Sequence, residues 1–451
     1  MKRTFTTIAC LGALFLSACT SDSSLPDPSG KGRIRAINAM PGSPEVVFKI
    51  EERTLGILPY KQWSTPTRFD DFEYNFNFDV KVPDEIGQDR VATLVTKIDA
   101  DRDYVFVVTG TDVYDPTITI WETDVRAWTE GETVFEASFS HLSDTLGDVD
   151  VYFADPATPP LTGEQVATLS YGDVMDPMDF EQGAYVITIT EAGNVNNVYF
   201  TSGENSFNAT TSHTMALLDG NANDTTPYLV MTISDIGLSL RITDPSYVPT
   251  IRFVHAAKTL QAVDVYDDET LTSQVATGVT FGVATPDLPT ATEDKVYYFT
   301  PAGSTATTLF SQPASSPPDS QHSSMYLIGD TDAWSGVYVT LDRSSASTFA
   351  RLRIFHGAFE NSVVNFYVLP RGEPRTEDSI PRMPRVGFGL LTASQELAAG
   401  SYDLYVTDIS EELNQLAGPY ELDVANGDVV FLQIVDTDDP TMIEFQDVSI
   451  P

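Results

Sequence analysis

The feature that most constrains this chain is a short pattern that recurs at intervals of about one hundred residues. In its three clearest copies a strand-like segment ends in a histidine, and an aspartate or asparagine follows nine positions later. These pairs are His141 with Asp150, His255 with Asp264, and His356 with Asn365. A degenerate first copy has Asn38 in place of the histidine and Val47 in place of the aspartate.

A second landmark, a mainly apolar segment, closes each copy. These segments are Tyr104–Asp112, Met215–Gly220, Met325–Asp330 and Val429–Asp436. Because the two landmarks recur in step, the chain divides into four units of ordinary domain size. We place these units at residues 32–128, 133–244, 249–345 and 350–451.

The segments between the landmarks have the pattern of β-strands. Apolar and polar residues alternate in runs such as Gly183–Thr190 and Gly400–Thr407, and hardly any long stretch has helical periodicity. A β-propeller is the main alternative, but its blades need only about 40–50 residues. We therefore predict an all-β protein of four tandem immunoglobulin-like β-sandwiches.

The N-terminus has the features of an export signal. Lys2 and Arg3 precede an apolar segment that is too short for a permanent membrane span. Leu16–Cys19 resembles the bacterial lipobox, which implies a signal peptide at residues 1–18 and lipidation of Cys19. Residues 19–31 would then form a tether, and the residues after Cys19 resemble an outer-membrane sorting signal. We expect a lipid-anchored envelope protein of a Gram-negative bacterium; an ordinary secretory signal is the alternative.

Charge and cysteine content narrow the function further. With 65 acidic and 25 basic residues, the formal charge of −40 repels nucleic acids and anionic lipids. Cys10 and Cys19 are the two cysteines, so signal cleavage and lipidation leave no disulfide within the mature chain. The units must be held together by their cores in an oxidising compartment.

The third and fourth units carry a family resemblance. Ile251–Ala257 with Val279–Gly282, and Arg353–Ala358 with Val386–Gly389, resemble the bacterial domain of unknown function 4397. The second unit is similar more loosely, through Tyr171 and the glycine after it. That family occurs in tandem in secreted and lipid-anchored proteins. The resemblance implies an immunoglobulin-like β-sandwich and an envelope location, and brings no established activity.

The repeated histidines and aspartates suggest acid–base chemistry or metal binding, since a carboxylate can orient an imidazole for either role. However, Asn365 replaces the aspartate in the fourth unit, and the first unit has neither group. We therefore expect a structural hydrogen-bonded pair that joins the first two strands. His213 and His322 lie elsewhere, and no His-rich or Cys-rich cluster predicts zinc. We predict no catalytic residue, metal ligand or cofactor.

Acidic loops follow the closing segments and raise the question of calcium. They are Asp112–Asp115, Asp219–Asp224, Asp330–Asp332 and Asp436–Asp439. Hard cations favour such oxygen-rich loops, but Asp and Asn are also the residues that ordinary turns prefer. Turn formation is the preferred interpretation, and calcium binding stays the alternative.

Aromatic residues offer one further candidate surface. Four rings alternate with polar residues on one predicted strand face, which favours a buried sandwich face over a sugar-stacking platform. They are Phe72, Tyr74, Phe76 and Phe78. Four tryptophans are not repeated and fit either role: Trp63, Trp121, Trp128 and Trp334.

These observations predict a non-catalytic envelope lipoprotein. Its modules would serve binding, adhesion or spacing, with a polysaccharide or protein partner, because no catalytic motif is found. A hydrolase acting on envelope or extracellular polymer is one alternative, and a calcium-stabilised surface module is another. A catalytic site should break the repeat pattern in one place, and the first unit is the divergent one.

Overall fold

A computed structural model describes residues 27–81, 87–157, 165–315, 320–331, 333–410, 412–439 and 441–449. Cys10 and Cys19 lie outside these residues. The described chain consists of β-strands and loops, and the expected all-β fold of tandem sandwiches is confirmed. No helix in this described part is long and apolar enough to span a membrane.

The four units are called repeats 1 to 4 in chain order. Repeat 1 contains eight strands in two four-stranded sheets. They are β1 (Lys31–Asn38), β2 (Val46–Ile50), β3 (Arg53–Leu58), β4 (Thr67–Asp70), β5 (Glu73–Lys81), β6 (Gln88–Lys97), β7 (Arg102–Thr109) and β8 (Thr117–Asp124). One sheet has the order β4-β1-β7-β8, and the other has the order β3-β2-β5-β6. The first strand and the closing strand, β1 and β7, pair in parallel at the centre of their sheet.

Repeat 2 has the same plan with two additional short strands. Its strands are β9 (Val134–His141), β10 (Val149–Ala154), β11 (Gln165–Leu169), β12 (Met178–Glu181), β13 (Gly183–Glu191), β14 (Asn194–Thr201), β15 (Asn205–Phe207), β16 (Ser212–Asp219), β17 (Tyr228–Ser234) and β18 (Ser239–Ile242). The sheet orders are β12-β9-β16-β17-β18 and β11-β10-β13-β14, with β15 added to β13. The parallel pair is β9 with β16.

Repeats 3 and 4 return to eight strands each. Repeat 3 has β19 (Thr250–His255), β20 (Val263–Tyr266), β21 (Gln274–Val279), β22 (Leu288–Pro289), β23 (Lys295–Pro301), β24 (Phe310–Ala314), β25 (His322–Ile328) and β26 (Ser335–Thr340). Repeat 4 has β27 (Ala350–His356), β28 (Val363–Pro370), β29 (Met383–Gly387), β30 (Gln395–Leu397), β31 (Gly400–Thr407), β32 (Gln415–Val424), β33 (Val429–Asp436) and β34 (Ile443–Asp447). The parallel pairs are β19 with β25 and β27 with β33.

The closing strand of the parallel pair is buried over most of both faces in every repeat. In β7, for example, Tyr104, Phe106 and Val108 enter the core of repeat 1, while Val105 and Val107 point the other way and are also buried. Near-continuous apolar runs are typical of strands that are covered on both sides. The closing segments are such runs, which explains why they depart from strict alternation.

The second buried face joins repeat 1 to repeat 2. Residues of both repeats form one apolar cluster between the two central sheets: Ile37, Ala39, Tyr60, Trp63, Val105, Val107, Trp121, Leu142, Ala216, Leu218, Leu229, Met231 and Ile233. Trp63 and Trp121 are therefore interface residues. The chain is not a string of separate sandwiches over this span, because the two repeats share a core.

Repeats 3 and 4 pair in the same way. Their shared cluster contains Val254, Ala256, Tyr326, Ile328, Leu341, Phe355, Phe431, Val435 and Val448. The Tyr326 and Phe355 rings stack across this interface with centroids 3.8 Å apart and nearly parallel planes. The buried guanidinium of Arg252 crosses the same interface and donates to the Val448 carbonyl at 2.7 Å. The molecule thus consists of two fused pairs, repeats 1–2 and repeats 3–4.

Candidate functional site

The repeated histidines are buried, and two of them contact the loop between the first two strands. His141 Nε2 lies 2.9 Å from the Gly147 carbonyl oxygen, and His255 Nε2 lies 3.4 Å from the Gln261 carbonyl oxygen. Asn38 holds the corresponding loop in repeat 1, because its amide donates to the Ser43 hydroxyl at 2.8 Å and its oxygen accepts the Met40 backbone N–H at 3.1 Å. An aromatic ring stands edge-on to each imidazole, as Phe388 does to His356.

The repeated aspartates fasten different loops in the opposite sheet. Asp264 accepts backbone N–H groups from Gly278 and Gly303, each at 2.7 Å. Asp150 accepts the backbone N–H of Gly193 at 2.7 Å, and Asn365 accepts that of Arg385 at 2.9 Å. The expected hydrogen bond between histidine and aspartate is therefore wrong: the two residues lie in different sheets and serve different loops.

Burial also makes the histidines poor acid–base groups at neutral pH. Burial lowers the pKa of His141 and His255, and it lowers the pKa of His356 to about 4. Burial also lowers the pKa of His213 to about 4. A general base works best when its pKa is near the operating pH. These imidazoles are neutral structural groups in the folded chain.

The acidic loops after the closing strands use their carboxylates within the chain. Asp219 accepts the Ser143 hydroxyl at 2.5 Å and the Asp144 backbone N–H at 3.0 Å. Asp436 accepts the backbone N–H groups of Phe359 at 2.7 Å and Glu360 at 3.3 Å. Among the described residues, which omit Asp332, no group of three or more His, Cys, Asp or Glu is arranged to hold a metal. These contacts favour turn formation.

The predicted aromatic face forms the core of repeat 1. Phe76 and Phe78 are fully buried, and Tyr74 packs against the same cluster. Phe48 stacks on Phe78 with centroids 5.2 Å apart, and Phe106 lies 4.4 Å from Phe76. The preferred interpretation, a buried sandwich face, is confirmed for Tyr74, Phe76 and Phe78. Phe72, in contrast, precedes β5, is half-buried and lies outside the core cluster.

The cavity with the most densely charged lining lies where all four repeats meet. It has a volume of about 270 Å³. Its walls come from repeat 1, repeat 2, the segment after β26, and Arg351 at the start of repeat 4. Larger grooves of 580, 480 and 510 Å³ lie along other contacts between repeats, but fewer charged side chains line them. We call this space the junction cavity.

Two clusters of paired charges face each other across the junction cavity. On the side of repeats 1–2, the Asp224 carboxylate pairs with Lys61 and receives Arg241 Nη2 at 2.6 Å. On the side of repeats 3–4, Asp342 receives Arg351 Nη1 at 2.9 Å. Burial is the main influence on the Lys61 ammonium and lowers its pKa despite the nearby Asp224.

Polar contacts connect these two sides. The Asn223 amide donates to Asp342 at 2.9 Å and its oxygen accepts the Arg343 backbone N–H. At a second contact, the Ser347 backbone N–H donates to the Gly42 carbonyl at 2.7 Å. The pairs are therefore fused internally by apolar cores and meet each other through hydrogen bonds and ion pairs.

Lys61 occupies a backbone position that is glycine in the other three repeats. Its φ is 72°, and the corresponding Gly172, Gly282 and Gly389 have φ values of 88°, 79° and 76°. All four backbone N–H groups make the same hydrogen bond, to the carbonyl of the histidine or of Asn38. A left-handed conformation costs a residue other than glycine about 1–2 kcal/mol. Seven other described non-glycine residues also have a positive φ, but Lys61 is distinguished by replacing the glycine of the other repeats and by lining the junction cavity.

Sequence reasoning missed Lys61 although the signal was present. Tyr60 precedes Lys61 as Tyr171, Phe281 and Phe388 precede their glycines. Aligning the first repeat on this aromatic residue, instead of on the missing histidine, would have shown a lysine in a glycine position. The partner Asp224 lay within a predicted acidic loop, but only the fold brings it to Lys61.

Comparisons with known proteins do not assign this chain to a family. No known protein family and no curated protein matches it. Among solved structures it is similar to a family 26 carbohydrate-binding module from Eubacterium rectale in complex with maltoheptaose, at 11% identity and a TM-score of 0.16. That match covers 45% of this chain and 97% of the module. It is also similar to the Bacillus anthracis TIE protein, at 9% identity and a TM-score of 0.15, over 91% of this chain and 69% of that one. Both TM-scores are low, so neither likeness bears on function.

Proposed function

We propose that this chain is a non-catalytic lipoprotein of the bacterial envelope that presents four β-sandwiches as one binding body. The main support for the proposal is that the repeated polar side chains make structural hydrogen bonds within the chain. His141, Asp150, Asp219, Asp264 and Asp436 are engaged in holding loops. Among the cavities between the paired repeats, the junction cavity has the most charged side chains in its lining and supplies a place for a polar ligand.

The anchor and the location belong to the same proposal. They rest on Leu16–Cys19 and on the basic and apolar residues before it. A lipid at Cys19 would hold the folded body close to a membrane through the tether at residues 19–31. The charge of −40 would keep this body away from anionic lipid surfaces.

The test uses the full chain in a Gram-negative host, with Cys19→Ser as its matched control. We expect the unaltered chain in the outer-membrane fraction and the Cys19→Ser protein in the soluble periplasmic fraction. Recovery of the Cys19→Ser protein in the membrane fraction would contradict the anchor.

Binding and catalysis are tested with isolated envelope fractions. We expect the lipid-free protein to co-sediment with insoluble cell-wall glycan and to release no soluble reducing sugar from it. Release of soluble fragments would support the hydrolase alternative instead. Absence from every glycan and protein fraction of the envelope would refute the binding role.

A further inference from the structure

We propose that the junction cavity binds one neutral, polyhydroxylated ring of the size of a hexose, either free or at the end of a glycan. This inference rests on the binding role proposed above and names its ligand class. Three observations support the inference: the size of the cavity, the balance of charge in its lining and the strained backbone of Lys61.

The size of the cavity restricts the ligand to a small molecule. Its 270 Å³ lies just below the roughly 300–1,000 Å³ of pockets that hold drug-sized ligands. At about 30 Å³ per water, it corresponds to roughly nine water molecules. A single sugar ring matches this space, whereas a longer chain would have to extend out of it.

The charge of the lining favours a neutral ligand. Three cationic and three acidic side chains line the cavity: Lys61, Arg241, Arg351, Glu45, Asp224 and Asp342. In a chain with 65 acidic and 25 basic residues, this equal number is a local exception. Asp224 and Asp342 are already paired with cations, and the formal charges of the six side chains sum to zero, so the lining offers an ionic ligand no net attraction.

The hydrogen-bonding groups of the lining suit hydroxyl groups. A hydroxyl both donates and accepts, so it can bridge a carboxylate and a cation that are already paired. Asn221, Gln62 and Ser345 add amide and hydroxyl groups to the same walls. Tyr60 and Met231 supply a small apolar patch against which the C–H face of a sugar ring can pack. The lining is more polar than apolar, which favours a polyhydroxylated ligand over a purely hydrophobic one.

Lys61 supplies the second, independent observation. The three other repeats keep glycine at this left-handed position, and only repeat 1 places a charged side chain there. That side chain reaches Asp224 of the neighbouring repeat at the cavity wall. Folding alone does not require a lysine here, since Gly172, Gly282 and Gly389 support the same loop without one.

The experiment measures binding by isothermal titration to the lipid-free Cys19→Ser protein that lacks the signal peptide. The probes are D-glucose, D-galactose, N-acetylglucosamine and D-glucuronate, with a short oligosaccharide of each neutral sugar that binds. Lys61→Gly restores the glycine of the other repeats. Leu271→Gly is the matched control, because Leu271 also has a positive φ, of 54°, and does not line the cavity.

We expect at least one neutral sugar to bind, and Lys61→Gly to weaken it roughly tenfold or more, because hydrogen bonds to charged groups are strong. Leu271→Gly should bind as the parent does. Asp342→Asn, on the opposite wall, should also weaken binding and provides a second variant if Lys61→Gly does not fold. Equal affinity for a free sugar and its oligosaccharide would identify a free ligand, and tighter oligosaccharide binding would identify a glycan end.

Three results would overturn the inference. Binding of D-glucuronate alone would contradict the neutral ligand class while leaving the binding role intact. Sugar binding that is unchanged in both Lys61→Gly and Asp342→Asn, or no sugar binding at all, would remove the site from the junction cavity. The binding role itself fails only if the envelope co-sedimentation also fails.

Discussion

At the scale of single residues, this chain uses buried polar groups to hold loops. His356 is fully buried at the end of β27, and Asn38 holds the corresponding place in repeat 1. Asp264 secures two turns through their backbone N–H groups. Recurring polar residues such as Asp264 therefore have a structural role. Lys61, which breaks the repeat pattern by replacing a glycine, lies at the junction cavity.

His356 predicts a dependence of stability on pH. Its pKa is about 4 in the folded chain against an ordinary value of 6.5, so the unfolded chain binds the proton more tightly. Stability from this group is complete above pH 6.5, falls as the pH decreases, and is lost by about pH 4. The shift corresponds to about 3 kcal/mol. In thermal melts, His356→Asn should remove this part of the pH dependence; an unchanged profile would show that the imidazole is not buried.

Asp264 predicts a contrast between two substitutions. Asp264→Ala leaves two backbone N–H groups without their acceptor and should lower the free energy of unfolding by about 2–3 kcal/mol. Asp264→Asn keeps an acceptor oxygen for one of these two N–H groups, as Asn365 does for Arg385 in repeat 4, and should cost about half as much. Chemical denaturation of both variants measures the difference. Equal losses would mean that the carboxylate charge, not the acceptor geometry, matters.

The carboxylates of the acidic loops predict indifference to calcium. Asp219 and Asp436 already accept hydrogen bonds from their own loops. A ligand at one hundred times its dissociation constant would add about 2.7 kcal/mol of stability. We expect thermal melts of the lipid-free protein to coincide in millimolar calcium and in excess chelator. A transition that rises with calcium would instead support the calcium-stabilised module.

At the scale of elements, the closing strands decide how the repeats associate. Each carries apolar side chains on both faces, as Met325 and Leu327 enter the core of repeat 3 while Tyr326 and Ile328 enter the interface. Their apolar runs were recognised in the sequence and predicted strands correctly. These continuous apolar runs also indicate that both faces of the strand are buried. They do not identify which sheet covers the second face, because the sequence of one strand does not specify its packing partner.

The shared core of repeats 3 and 4 predicts a large effect of a single ring. Phe355→Ala removes the ring that stacks on Tyr326 and should cost about 3–5 kcal/mol. Because the cost falls on a shared interface, calorimetry should show the unfolding of both repeats moving to lower temperature. Phe200→Ala, in the core of repeat 2, is the matched control and should leave repeats 3 and 4 unchanged.

At the scale of the whole molecule, two kinds of contact hold the four repeats together. Apolar cores fuse repeats 1–2 and repeats 3–4, and the pairs meet through polar contacts such as the ion pair between Lys81 and Glu396, at 2.6 Å. Apolar burial is the larger source of stability, because exposed ion pairs contribute little. The unit of folding should therefore be the pair, and a ligand in the junction cavity would bind the two pairs together.

Scanning calorimetry of the lipid-free Cys19→Ser chain and its Phe355→Ala variant tests this pairing most directly. We expect Phe355→Ala to lower the melting temperature for about half of the total unfolding enthalpy, because enthalpy scales with the number of residues that unfold together. The other half, from repeats 1 and 2, should keep its melting temperature. A shift confined to about a quarter of the enthalpy, as expected for one repeat that melts alone, would contradict the account.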